Sequence, residues 1–275
     1  MKADIKSYLE DSFINFSPRR IERAMSYNSP IIFDAGSFGE TLASIIYNCI
    51  GCGTQGGGSF DLADGKEIKS INKFQSKNCK DCKGKNSFFS KKCVHCGGEQ
   101  FKYANDSRAG ISTSSHFLYE EELGDYIIFQ IVPDTYEYSC RSAKIYGYRI
   151  EKNNQWFRKM LLLQKEKGSN TKNLLTTSVE FYMSAPAKIF EASVDFSQEE
   201  ILADVSFLNP EYNEGNVLPV PKELFTKTRQ YKQYFPLLED IEYYDACTNV
   251  FGFQPLVGSH GKERGEVLRK NLATA

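Results

Sequence analysis

Gly56-Gly57-Gly58-Ser59-Phe60-Asp61-Leu62-Ala63-Asp64-Gly65-Lys66-Glu67-Ile68-Lys69-Ser70 is the stretch that decides how this chain is read. It has the form strand, tight turn, strand. A two-residue Asp64-Gly65 turn would put Asp61 and Glu67 on opposite faces. A three-residue Ala63-Asp64-Gly65 loop, with Gly65 left-handed, pairs Leu62 with Lys66, Asp61 with Glu67 and Ser59 with Lys69. Side chains alternate along a strand, so Ser59, Asp61, Glu67 and Lys69 then share one face. Phe60, Leu62 and Ile68 take the other face and can pack on a helix, so the apolar pattern favours this second register. It sets two carboxylates directly opposite each other, which is destabilising unless something offsets the repulsion. A divalent cation does so, and Mg²⁺ is often held by one or two carboxylates together with a phosphate. Lys69 adds an ammonium beside the same point, able to orient a water or stabilise charge on a phosphate.

Working outward, Ser37-Phe38-Gly39-Glu40 has the spacing of a capping box and precedes Leu42, Ile45, Ile46, Cys49 and Ile50 at helical spacing. A helix over 38–50 is expected. Downstream, 106–123 reads as mostly helical, 126–132 as a buried strand ended by Pro133, 144–150 as an alternating strand and 153–167 as an amphipathic helix. Residues 178–183 and 189–194 read as further strands. A Pro-rich connector follows, then the basic and aromatic stretch Lys222 to Tyr234 and the basic tail His260 to Arg269.

Eight cysteines include three C-x-x-C pairs. Cys79-Lys80-Asp81-Cys82 and Cys93-Val94-His95-Cys96 aim four thiolates at one point, the donor set of a closed, structural Zn²⁺ site. Cys49-Ile50-Gly51-Cys52 ends an apolar helical pattern and is expected to pack, as are Cys140 and Cys247. Net charge is −1, but residues 66–102 carry ten lysines against three acids, a local +7 that leaves −8 elsewhere. Such an island suits a local anionic partner, with Lys80, Lys83 and Lys85 as candidates. No apolar run approaches the roughly 18–20 residues of a membrane helix. The N-terminus has no apolar leader, so a cytoplasmic chain without a membrane partner is expected.

The acid–turn–Glu-x-Lys segment resembles the PD-(D/E)XK nuclease superfamily, whose signature falls here on Asp61, Glu67 and Lys69. Phe60 replaces the proline usual before the first acid, and the short spacing leaves Asp64 as a substitute for Asp61. In that superfamily a helix before the hairpin often supplies a further metal-binding Glu. Glu40 would either serve so or only cap its own helix. The resemblance covers residues 37–132 and implies an α/β fold: a restriction-endonuclease-like mixed β-sheet core flanked by helices. In this chain the core would span 37–200, with a four-cysteine zinc ribbon inserted at about 76–102, an N-terminal helical segment over 1–36 and a C-terminal extension over 201–275 for DNA recognition or dimer contacts. It implies catalytic Mg²⁺ held by Asp61, Glu67 and the backbone carbonyl of Ile68. With its embedded zinc module the chain is similar to type II restriction endonucleases, and in layout to subunits of BbvCI-like enzymes, in which two related chains each cut one strand. The expected partners are double-stranded DNA and an identical or related subunit, the products 5′-phosphate and 3′-hydroxyl ends. Arg108 and His116 join the lysines as candidate DNA contacts. The rival reading is a non-catalytic zinc-ribbon module that binds nucleic acid or protein.

Overall fold

The chain order in the computed structural model is α1 (Lys2–Ser12), α2 (Pro18–Tyr27), α3 (Ala35–Tyr47), β1 (Glu67–Asn72), β2 (Lys77–Cys79), β3 (Lys85–Asn86), β4 (Phe101–Lys102), β5 (Arg108–Ser112), α4 (Thr113–Leu118), β6 (Tyr126–Pro133), β7 (Ser142–Ile150), α5 (Gln155–Glu166), β8 (Thr171–Leu175), α6 (Val179–Met183), β9 (Ala187–Asp195) and β10 (Leu202–Leu208). The structure describes residues 1–52, 60–103, 108–118, 121–166, 168–219 and 221. Ser59, Cys247 and the stretches Lys222 to Tyr234 and His260 to Arg269 therefore lie outside the described residues.

β6 organises the fold. Its Ile127, Ile128, Phe129 and Ile131 are wholly buried, the composition of a strand covered on both faces. It pairs parallel with β1 and antiparallel with β7, which continues through β9 to β10 in the order β1-β6-β7-β9-β10. The result is a mixed sheet with helices on both faces, in agreement with the expected α/β class. One face carries Ile68, Ile127, Phe129, Ile131, Ile145 and Phe190 against Ile5 and Leu9 of α1 and Phe38, Leu42 and Ile46 of α3. On the other, Ile71, Tyr126, Ile128 and Ile150 pack with α5 and with the separate β5–β8 pair. Each fully buried side chain of this size contributes about 1.5–3 kcal/mol.

The N-terminal residues belong to this core. Phe13 and Phe16 join Phe33, Phe38, Phe74, Phe89 and Phe196 in an aromatic cluster, with Phe16 and Phe74 ring centroids 5.0 Å apart. At the other end, β10 lies beyond residue 201 yet completes the sheet on β9, and its backbone N–H at Ala203 donates to Glu10 of α1 at 3.1 Å.

Three local expectations are corrected. Residues 108–112 form a strand rather than a helix, because they find a partner in β8, 59 or more residues away in sequence. Val179–Met183 is a helix capped by the Ser178 hydroxyl, which accepts from Phe181 N at 3.3 Å, and not a strand. The helix before the hairpin starts earlier than Ser37. Its cap is Asp34, whose carboxylate accepts from the N–H of Gly36 and Ser37 and from the Ser37 hydroxyl at 2.6 Å.

Candidate active site

The turn closes as the three-residue loop requires. The N–H groups of Asp61 and Leu62 both donate to the Lys66 carbonyl at 3.1 Å, and Gly65 has φ 87°. A side chain at Gly65 would meet the Glu122 carbonyl at 2.4 Å, so the turn also rests against the segment before β6. The arm before the turn is not a ladder strand in the described part, however. Leu62 forms an isolated bridge with Gly51, Cys52 N–H donates to the Asp61 carbonyl at 2.8 Å, and Ala63 N–H donates to Ile50. The C-x-x-C segment at 49–52 thus supplies the strand-like support of Asp61, with Cys49 packed against the core. Phe60 also departs from expectation. It packs with the opposite cluster from Leu62 and Ile68, since the chain is not extended there.

Within β1, Glu67 N–H donates to the Asp125 carbonyl, so odd-numbered residues point their backbone groups toward β6. Ile68 points its N–H and C=O the other way, toward the Asp61 side, and its N–H donates to the Asp61 carboxylate at 2.6 Å. Side chains of Glu67 and Lys69 lie on one face and form an ion pair at 2.5 Å, both mostly buried. α3 crosses the other face so closely that a Cβ on Gly39 would sit 1.9 Å from the Ser70 hydroxyl. That approach brings Glu40 to the edge of β1. Since Asp34 caps the helix, the Glu40 carboxylate is not used for capping.

Electrostatics tie the group together. Burial pushes the Glu67 carboxyl above its ordinary range; the Lys69 ammonium opposes this, while Asp61 and Glu40 reinforce it. Burial likewise raises Glu40, with the charge on Asp61 adding to it and Lys69 opposing. Three carboxylates and one ammonium therefore lie within reach of one another's charge, and oxygen donors of this kind suit a hard divalent cation. The carboxylates are not drawn tight. Among the described residues, only the four zinc-ribbon cysteines bring three or more ligand atoms within 4.8 Å of one another.

Two supports were not visible in the sequence. Asp125, read only as part of a helix break, anchors the start of β1: its carboxylate takes Arg149 Nε at 2.7 Å and Lys152 N–H at 3.1 Å. Tyr126 is the register partner of Glu67 on β6, and its hydroxyl shares a 3.0 Å hydrogen bond with His116 Nδ1. His116 is thereby corrected as a DNA contact. It is 1% exposed, with its ring edge-on to Phe117 and Phe157, so no phosphate reaches it. Arg108, Lys80, Lys83 and Lys85 are all exposed.

The second site is the cysteine cluster. Cys79 and Cys96 Sγ are 3.6 Å apart, and Cys82 and Cys93 Sγ 3.5 Å. Tetrahedral Zn–S bonds of about 2.3 Å place sulfurs roughly 3.8 Å apart, so the spacing fits zinc. Asn86 Nδ2 donates to Cys93 Sγ at 3.5 Å and Gly84 N–H to Cys82 Sγ at 3.4 Å, the outer hydrogen bonds that orient thiolate ligands. The short strands β3-β2-β4 frame the cluster, and Phe88 and Phe89 dock it onto the aromatic core.

A restriction endonuclease family model matches residues 24–226. It is the model of the MamI restriction endonuclease, and the chain belongs to that family. This places it among nucleases that cut DNA at specific sequences. No curated protein and no solved structure matches. Among the described residues, no helix is long and apolar enough to cross a membrane.

Proposed function

We propose that the chain is a Mg²⁺-dependent type II endonuclease of the PD-(D/E)XK kind, with Asp61, Glu67 and Lys69 as its catalytic residues. The observation that carries this reading is the meeting, at the edge of β1, of Asp61, Glu67 and Lys69 with Glu40 from α3. Asp61, Glu67 and the Ile68 carbonyl would hold the metal, and Glu40 would complete its oxygen set. Bound Mg²⁺ would supply Lewis-acid activation of water and neutralise charge on the scissile phosphate. Lys69, now paired with Glu67, is positioned to orient the attacking water and to stabilise negative charge on phosphorus oxygens. Asp125 and Arg149 hold the start of β1, and so the height of Glu67, from behind. The four cysteines would hold a structural Zn²⁺, with no position open to water. Two chains, identical or related, would act together, one site per strand, leaving 5′-phosphate and 3′-hydroxyl ends.

The test is cleavage of long genomic DNA with and without Mg²⁺ by wild type and by Glu67→Gln, Lys69→Ala and Asp61→Asn. Each substitution should slow cleavage by about 10²-fold or more, the scale for losing one transition-state stabiliser. Duplex binding should survive, because phosphate and base contacts lie elsewhere. Full double-strand cleavage by Glu67→Gln would remove the site assignment.

A further inference from the structure

α2 presents a stripe that the catalytic reading leaves unused. Ile21 and Ala24 bury one side of the helix. Arg20, Arg23 and Tyr27 follow at three- and four-residue spacing and share the neighbouring side, about a quarter turn round the helix. Together with Asn15, Pro30 and Ile32 they line an open groove of about 390 Å³ whose walls contain no carboxylate. Tyr27 is 77% exposed and Ile32 79%, large side chains held out in water on the rim of a basic groove. Among the described residues Arg20 bonds only the neutral Asn15 amide, and Arg23 has no carboxylate partner. Two unneutralised guanidinium groups next to an exposed aromatic ring complement a polyanion.

The location points to which polyanion. Ile31 and Phe33 turn inward while Ile32 and Asp34 turn outward, so the segment leaving the groove is extended. Ile32 and Asp34 are then about 7 Å apart. Asp34 caps α3, and its charge is felt at Glu40, some six residues or about 9 Å further along the helix. The groove thus lies well within one turn of duplex, about 34 Å, of the catalytic cluster. On its other flank, Ser90 of the zinc module donates to the Asn28 side chain at 2.6 Å, fixing the end of α2.

We propose that this groove grips the sugar–phosphate backbone of duplex DNA beside the cleavage point, Arg20 and Arg23 each neutralising a phosphate and Tyr27 packing against the intervening sugar. The proposal rests on the DNA-cleaving reading and adds a contact surface to it. The test compares wild type, Arg20→Ala/Arg23→Ala and Arg20→Lys/Arg23→Lys in binding a mixed-sequence 30-base-pair duplex over a salt series, without divalent metal, and in single-turnover cleavage of genomic DNA at saturating protein. Loss of two phosphate contacts should flatten the slope of log affinity against log salt by roughly 1.8. The lysine variant should keep most of that slope, and the saturated cleavage rate should stay within about twofold of wild type. Thermal melting of all three should coincide, since both guanidinium groups are exposed. An unchanged slope in the alanine variant would overturn the proposal and leave the DNA reading standing. So would a lysine variant as flat as the alanine one, or a collapse of the saturated cleavage rate. Wild type that neither binds nor cuts any duplex would overturn the underlying reading as well.

Discussion

Replacing Gly39 by Ala tests the contact that brings α3 and Glu40 to β1. The added Cβ would stand 1.9 Å from the Ser70 hydroxyl, 3.3 Å from Ser70 Cβ and 3.4 Å from Ile68 Cγ2. Forcing a methyl group into such a contact costs about 1–3 kcal/mol. The helix interior returns about 1 kcal/mol from the better propensity of Ala. The net loss should then be about 0–2 kcal/mol, concentrated on one oxygen. That oxygen has no hydrogen-bond partner among the described residues and is buried, a state that itself costs about 1–3 kcal/mol. Ser70→Ala should therefore stabilise on its own, and in its background Gly39→Ala should become neutral or favourable. The coupling in the double-mutant cycle is expected at about 1–3 kcal/mol in favour of the double variant. Thermal or urea unfolding of the four proteins measures it, at about 2–4 °C per kcal/mol for a chain of this size. Cleavage should follow stability, falling in Gly39→Ala as Glu40 is displaced and recovering in the double variant. Strict additivity, or a Gly39→Ala protein as stable and active as wild type, would refute the close approach.

Asp34→Ala should cost about 0.5–2 kcal/mol through loss of the α3 cap, measurable by urea unfolding, and should lower cleavage because Glu40 rides on the same helix. Elemental analysis should find one zinc per wild-type chain and none in Cys96→Ser, which should also lower the melting temperature of the whole protein, since Phe88 and Phe89 join the module to the main core. Lys77 is buried under the Phe101 and Tyr103 rings, and burial brings its ammonium down to about 8. The unfolded chain then binds more protons above that value, so this residue makes stability rise with pH from about 8 upward. Lys77→Met should be the more stable protein at pH 7 and should lack that rise between pH 7 and 9.5; parallel profiles would contradict the burial argument.

What was legible in the sequence was whatever depends on near neighbours. The C-x-x-C turns, the left-handed Gly65, the apolar run at β6 and the alternation of β7 each carry their own chemistry within a few residues. What was hidden depends on partners far along the chain. β5 and α6 do not show in the pattern because a strand paired with β8 and a helix capped by Ser178 are short elements whose apolar residues fit either period. The Ser37 capping box was a sound local pattern beaten by a better cap, Asp34, whose carboxylate takes three donors where a serine would take one. Phe60 went to the wrong face because strand alternation was extended past the turn. His116, a candidate DNA contact from the sequence, is instead enclosed by Tyr126 and Phe157, neighbours 10 and 41 residues further along the chain.

The position of β1 has a consequence for solubility. Among the described residues it is paired on one side only, and an unpaired strand edge is a template on which other chains can add and aggregate. Here the outward N–H of Ile68 is occupied by the Asp61 carboxylate, and the strand carries Glu67 and Lys69 along its length. The charges proposed above for catalysis would therefore also act as gatekeepers against strand addition. A doubly neutralised Asp61→Asn/Glu67→Gln protein, the obvious choice for trapping an uncut complex, should self-associate more readily than either single variant, and single substitutions are the safer form in which to study the enzyme with its substrate.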